Sequence, residues 1–152
     1  MVLVLTSVAF GGFVFYAAAV VPIGSRVVGV TTQGFVTRQV TVVLNSISLA
    51  AVMVWGWELW ASRRVRTRHR MRWYAIAITL VAVCTGIQFL LHARLNRLLD
   101  PQELSVSDTV LFYGWHRIYL WCSTVQFCAW LVVLWGVMAE MRDGVIGGKD
   151  GR

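Results

Sequence analysis

Charge is what this chain has least of. Of its 152 residues only 14% are Asp, Glu, Lys or Arg, where a soluble domain carries about a quarter. The seven acids are half as many as the fourteen bases, and Glu58 is the only acid inside a long apolar run. No paired carboxylates and no acid–base couple are therefore available, and no enzymatic activity is expected. Ser123 shares a helix face with His116 and Tyr119, but His116 would stand about 10 Å away along the axis, too far to act as its base. The three cysteines, Cys84, Cys122 and Cys128, all fall inside apolar runs. They form no disulfide framework and are expected to behave as small hydrophobes. The methionines sit at one end of the runs or near the termini, leaving no thioether set for Cu(I). No basic residue precedes the first run. Met1–Val21 thus lacks the charged start of a signal peptide and is expected to be a retained span.

What the chain has is hydrophobicity: 58% apolar residues and a mean hydropathy of +0.67. It is concentrated in windows at about 2–23, 40–61, 73–91 and 111–138, each long enough for the about 20 helical residues that cross a hydrocarbon core. The expected fold is all-α, an integral membrane four-helix bundle of antiparallel up-down topology. Its spans lie at about 2–23, 36–61, 73–94 and 109–138, in one domain covering 1–142, followed by a flexible tail at 143–152. Pro22 and Gly24 are expected to end the first helix, and the connection Ile23–Gly34 to lead into a second that starts near Gln33. The third should run through Leu95 to a break at Asp100–Pro101, and Ser107 or Asp108 should cap the fourth. Ser7, Gly11 and Ala18 share a face of small residues suited to close helix packing, with Gly12 beside it. Trp55, Trp57 and Trp60 read as an interfacial belt.

A net charge of +7 and a pI near 10.2 would suit nucleic acid, but their placement does not. Six of the fourteen bases are Arg63, Arg64, Arg66, Arg68, Arg70 and Arg72. They fill one connection between spans, with no interleaved aromatics. Arginines there mark a cytoplasmic loop beside anionic lipid and put both termini inside. The expected location is the cell membrane, the inner membrane if the source is bacterial. Expected partners are membrane lipids, with a second copy or a larger membrane complex for an assembly role, and no nucleic acid.

Polar residues recur at helical spacing on three spans. His116, Tyr119, Ser123 and Gln126 lie at i, i+3, i+7 and i+10, and Arg38, Thr41, Asn45 and Ser48 repeat that pattern. Thr85, Gln88 and His92 share a face of the third span. Lipid cannot satisfy such groups, so they must look inward. On the expected topology they gather in the outer half, implying a polar pocket open outward and sealed inward. The candidate ligand-binding residues are Arg38, Thr41, Asn45, Gln88, His92, His116, Tyr119, Ser123 and Gln126, for a small ligand, lipid headgroup or ion. The competing reading is hydrogen-bonded packing between helices, each bond worth about 0.6–2 kcal/mol. As a functional alternative, the chain is an assembly subunit of a larger complex. A third reading, a b-type haem or another metal, rests on His92 and His116 alone. No resident cofactor is expected.

The Phe-x-x-x-His of Phe112–His116 ahead of a long apolar helix resembles the last span of the transmembrane protein 205-like family. Gly11-Gly12 followed by an aromatic-rich run to Pro22 is similar to the same family. So is Thr37-Arg-Gln-Val-Thr with Asn45, which more distantly resembles copper-resistance D-type membrane domains. The resemblance implies a four-span membrane protein of uncharacterised function, with His116 and Asn45 as the positions carried over. The copper-related likeness implies metal handling, yet the chain lacks a Met-rich or multi-His ligand set.

Overall fold

The computed structural model describes residues 2–64, 66–100 and 105–147. Helix α1 covers Val2–Phe15 and passes through a π-helical turn, Tyr16–Val20, into α2, Val21–Val28. Helices α3 (Val30–Ser62), α4 (Arg68–Asn96) and α5 (Thr109–Gly147) follow. Four candidate spans result, Val2–Val28, Val30–Ser62, Arg68–Asn96 and Thr109–Arg142, each long and apolar enough to cross a membrane. The chain is an all-α four-helix bundle, a small integral membrane protein.

Helix α1 packs on α3, α3 on α4, α4 on α5, and α5 returns to α1. The four spans thus form a closed ring in which α3 and α5 stand diagonally opposed. Stacking of Phe10 on Phe127 at 4.8 Å secures the α1–α5 side. One half of the bundle is an apolar core that includes Ala51, Trp55, Ile78, Val81, Ala129 and Val133. A smaller cluster of Leu91, Leu95 and Tyr119 lies towards the other end.

Several boundaries differ from expectation. The first helix does not stop at Pro22, which sits in the opening turn of α2. The preceding π turn, where the Val21 N–H reaches the Tyr16 carbonyl, widens the helix so the proline ring passes carbonyls it would otherwise strike. Gly24 does not end the helix either. Its bare Cα lies against the Gln33 amide, which any Cβ would overlap. The expected connection Ile23–Gly34 shrinks to Gly29 alone, at φ +84° and ψ 156°. That region is open essentially to glycine only. Gly29→Ala is expected to cost about 1–3 kcal/mol, read as a lower unfolding midpoint in a denaturing-detergent titration of the purified protein.

Arg68, Arg70 and Arg72 belong to the first turns of α4 rather than to a loop. Helix α4 ends at Asn96, and Leu99–Asp100 (β1) then pairs antiparallel with Ser105–Val106 (β2). The expected break at Pro101 lies outside the described residues. Asp108 caps α5 as expected, its Oδ1 accepting the Leu111 N–H at 2.9 Å. Helix α5 continues past Arg142 to Gly147, so the first part of the expected tail is helical, and 148–152 lie outside the described residues.

The small-residue face of α1 is not used for packing among the described residues, and one belt residue is misplaced. Ser7, Gly11 and Ala18 are exposed, and nothing lies within 4 Å of a Cβ placed on Gly11. Helix α1 instead turns Thr6 and Ala9 inward, and a Cβ on Gly12 would meet Leu44 of α3 at 3.4 Å. Trp55 is no belt residue. It is only 1% exposed because it continues the buried face of Ser48, Ala51 and Leu59 at helical spacing. Trp57 and Trp60 remain outside.

Candidate functional site

The polar faces read from the sequence do meet, and they meet by bonding to each other. From α3, Asn45 Nδ2 donates to the Tyr119 hydroxyl of α5 at 3.1 Å. From α4, Gln88 Nε2 donates to Ser123 Oγ at 2.9 Å, and Ser123 itself donates to the Tyr119 carbonyl one turn back at 3.0 Å. One turn further in, Gln126 Nε2 of α5 donates to Ser48 Oγ at 2.7 Å and to Thr85 Oγ1 at 3.2 Å. Trp130 Nε1 adds a second donor to Ser48 at 3.3 Å.

The diagonal arrangement explains why long amides appear here. Helices α3 and α5 stand diagonally opposed, and the long polar side chains of Asn45, Gln126, Tyr119 and Trp130 join them across the bundle axis. Seven of the eight buried polar residues of the described chain form this layer or the smaller cluster at the α2–α3 turn. The exception is Thr6, which accepts from Trp55 Nε1 at 2.7 Å.

Of the other candidates, Thr41 lies within hydrogen-bonding reach of the Tyr119 hydroxyl, while Arg38, His92 and His116 lie outside this bonded layer. Arg38 and Thr41 are half-buried on α3, with the Thr41 hydroxyl donating to the Arg38 carbonyl at 3.1 Å. Arg38 stands close enough to His92 of α4 for its charge to act on that ring. His116 is half-buried, and its ring stacks on Phe112 of its own helix at 5.8 Å and 7°. No hydrogen bond joins His92 to His116, and the described residues hold no group of three or more His, Cys, Asp or Glu able to surround a metal ion. A metal here would rest on two imidazoles.

Among the bonded residues the space left is small. A cavity of about 20 Å³ remains beside Asn45, Ser48, Ser123 and Gln126, far below the several hundred Å³ of a small-molecule site. At this depth the polar residues fill the interior they were expected to line. The reason is geometric: amide and hydroxyl groups from three helices, brought to one height, bond chiefly to each other and leave only this small space between them.

The chain matches no family model, no curated protein and no solved structure. The geometry of the bundle therefore carries the functional reading by itself.

One polar cluster was not anticipated, and a second is larger than the sequence implies. At the α2–α3 turn, the Tyr16 hydroxyl donates to Thr37 Oγ1 at 2.9 Å and accepts from Gln33 Nε2 at 3.4 Å. Tyr16 is the only residue of the first run with both a ring and a hydroxyl, which was the available signal. At the opposite end, Arg66 ties three helices together. Its guanidinium lies 3.3 Å from Glu140 of α5 and 3.9 Å from Glu58 of α3. It also sits over the rings of Tyr74 of α4 at 5.1 Å and Trp55 at 5.9 Å. A pairing of Glu58 with the arginine-rich connection follows from the sequence. The larger share taken by Glu140 does not, because that residue lies 74 positions further along the chain than Arg66.

Proposed function

We propose that this protein binds a small anionic group at the outer mouth of its bundle, around Arg38, Thr41, His92 and His116. The phosphate of a lipid headgroup and a free phosphate ion share the required chemistry. The reading takes the arginine-rich end as cytoplasmic, with both termini inside, in keeping with the concentration of basic residues there.

The observation that carries it is Arg38. The residue is half-buried and forms no ion pair with another described residue. A cation held partly out of water favours an anionic partner, and His92 beside it adds donors rather than a counter-charge. The deeper layer has its own partners, so Asn45, Gln88, Tyr119, Ser123 and Gln126 hold the mouth in place instead of touching the ligand.

The test is binding to the protein in nanodiscs, using inorganic phosphate and short-chain phosphatidylglycerol as separate probes. Arg38→Gln is expected to weaken the bound probe about 10–100-fold, the range of a charge-assisted contact, while the exposed Arg117→Gln leaves it unchanged. Equal affinity in the Arg38 variant and the native protein sinks the reading.

A second reading, an assembly subunit, is favoured by the Ser7, Gly11 and Ala18 face, which is exposed among the described residues. Small residues are what close helix contacts in membranes use. Purification in a gentle detergent distinguishes it: a strictly monomeric chain without partners argues for the first reading.

A further inference from the structure

We infer that the cavity between α1, α3 and α5 is a binding site for one water molecule, held by Asn45, Ser48 and Gln126. The inference is independent of what the outer mouth binds. It rests on three features that agree. The first is size: about 20 Å³ exceeds the about 10–15 Å³ that one water requires, but no second molecule fits.

The second is hydrogen-bonding capacity left over in the lining. Asn45 and Gln126 each use their amide nitrogen within the chain, and neither Oδ1 of Asn45 nor Oε1 of Gln126 accepts a bond among the described residues. Ser48 Oγ accepts from Gln126 and Trp130, while its own proton has no acceptor there. The lining therefore offers two acceptors and one donor. A water with two protons to give and lone pairs to fill is complementary to that set, and two to four polar partners is what a buried water needs.

The third is closure. On the inner side, Ala51, Val81 and Val133 are completely buried, so the site is a dead end and not part of a conducting file. Gln88 provides the contrast. Its Oε1 is buried without a partner, yet Gln88 does not line the cavity. An unmet acceptor is therefore not sufficient for a water site, and Gln88 serves as the dry control.

The experiment is magnetisation transfer from water to side-chain amide protons in the full chain, ¹⁵N-labelled and held in nanodiscs. Transfer to the Asn45 and Gln126 amides is expected, with none to Gln88. Ser48→Thr keeps the hydroxyl and adds a methyl group. Ala9→Val fills the same space from α1, where Ala9 lines the cavity. Each folded filling variant is expected to lose the transfer at both amides. Absence of transfer in the native protein overturns the inference, as does equal transfer to Gln88. Persistence of the signal in a filling variant that folds overturns it too.

Discussion

Trp55→Ala is expected to destabilise the bundle by about 3 kcal/mol, towards the lower end of the range for emptying a buried Trp site. Within lipid the usual gain from removing apolar surface from water is absent, so the loss is one of contact and bonding. Trp55 is almost entirely enclosed, stacks on Tyr74 at 5.3 Å and lies beneath the Arg66 guanidinium. Its indole N–H is also bonded to Thr6, so truncation releases α1 from α3 at that level. The measurement is the folded fraction against denaturing-detergent mole fraction, followed by far-ultraviolet circular dichroism. Trp57→Ala, on the exposed side of the same helix, is expected to shift the midpoint far less. Equal shifts in the two variants would show that Trp55 is not part of the packed core.

Arg66→Met is expected to cost about 2–3 kcal/mol, below the about 3–5 kcal/mol typical of stranding a fully buried charge. The discount reflects solvent, since the side chains of Glu58 and Glu140 retain 40% and 23% of their exposure. The loss has two parts. Two carboxylates on different helices are left facing each other without their shared cation, and the cation–π contacts with Tyr74 and Trp55 disappear. Adding Glu140→Gln to Arg66→Met should therefore recover at least half of the lost stability, because it removes the charge that the first change strands. A double-mutant cycle measures this. Additive losses would mean that Arg66 and Glu140 do not act on each other and that the helix ends beside Arg66 are held by packing alone.

Much of the candidate site can be read from spacing. His116, Tyr119, Ser123 and Gln126 repeat at helical intervals in an otherwise apolar run. So do Asn45 and Ser48 on α3, and Thr85 and Gln88 on α4, and all of these meet except His116. Periodicity specifies a face, and in lipid a polar face has only one direction to point. What such spacing does not specify is whether the facing groups leave room between them. Gln126 could line a pocket or bridge Ser48 and Thr85, and the difference is about one rotamer. The histidines show the same limit. His92 and His116 occupy matching heights in sequence, but the stacking of His116 on Phe112 depends on ring orientation, which spacing does not encode.

Four long apolar runs, the arginine-rich connection and the Asp108 cap followed from the sequence alone, because each depends on composition or on neighbours within a few residues. The tertiary structure decided how the first span passes Pro22, where Trp55 points, that Arg66 reaches Glu140, and that α3 and α5 lie across the bundle from each other. Those outcomes depend on residues far apart in the chain sharing one volume, and close packing, not local preference, determines who shares it.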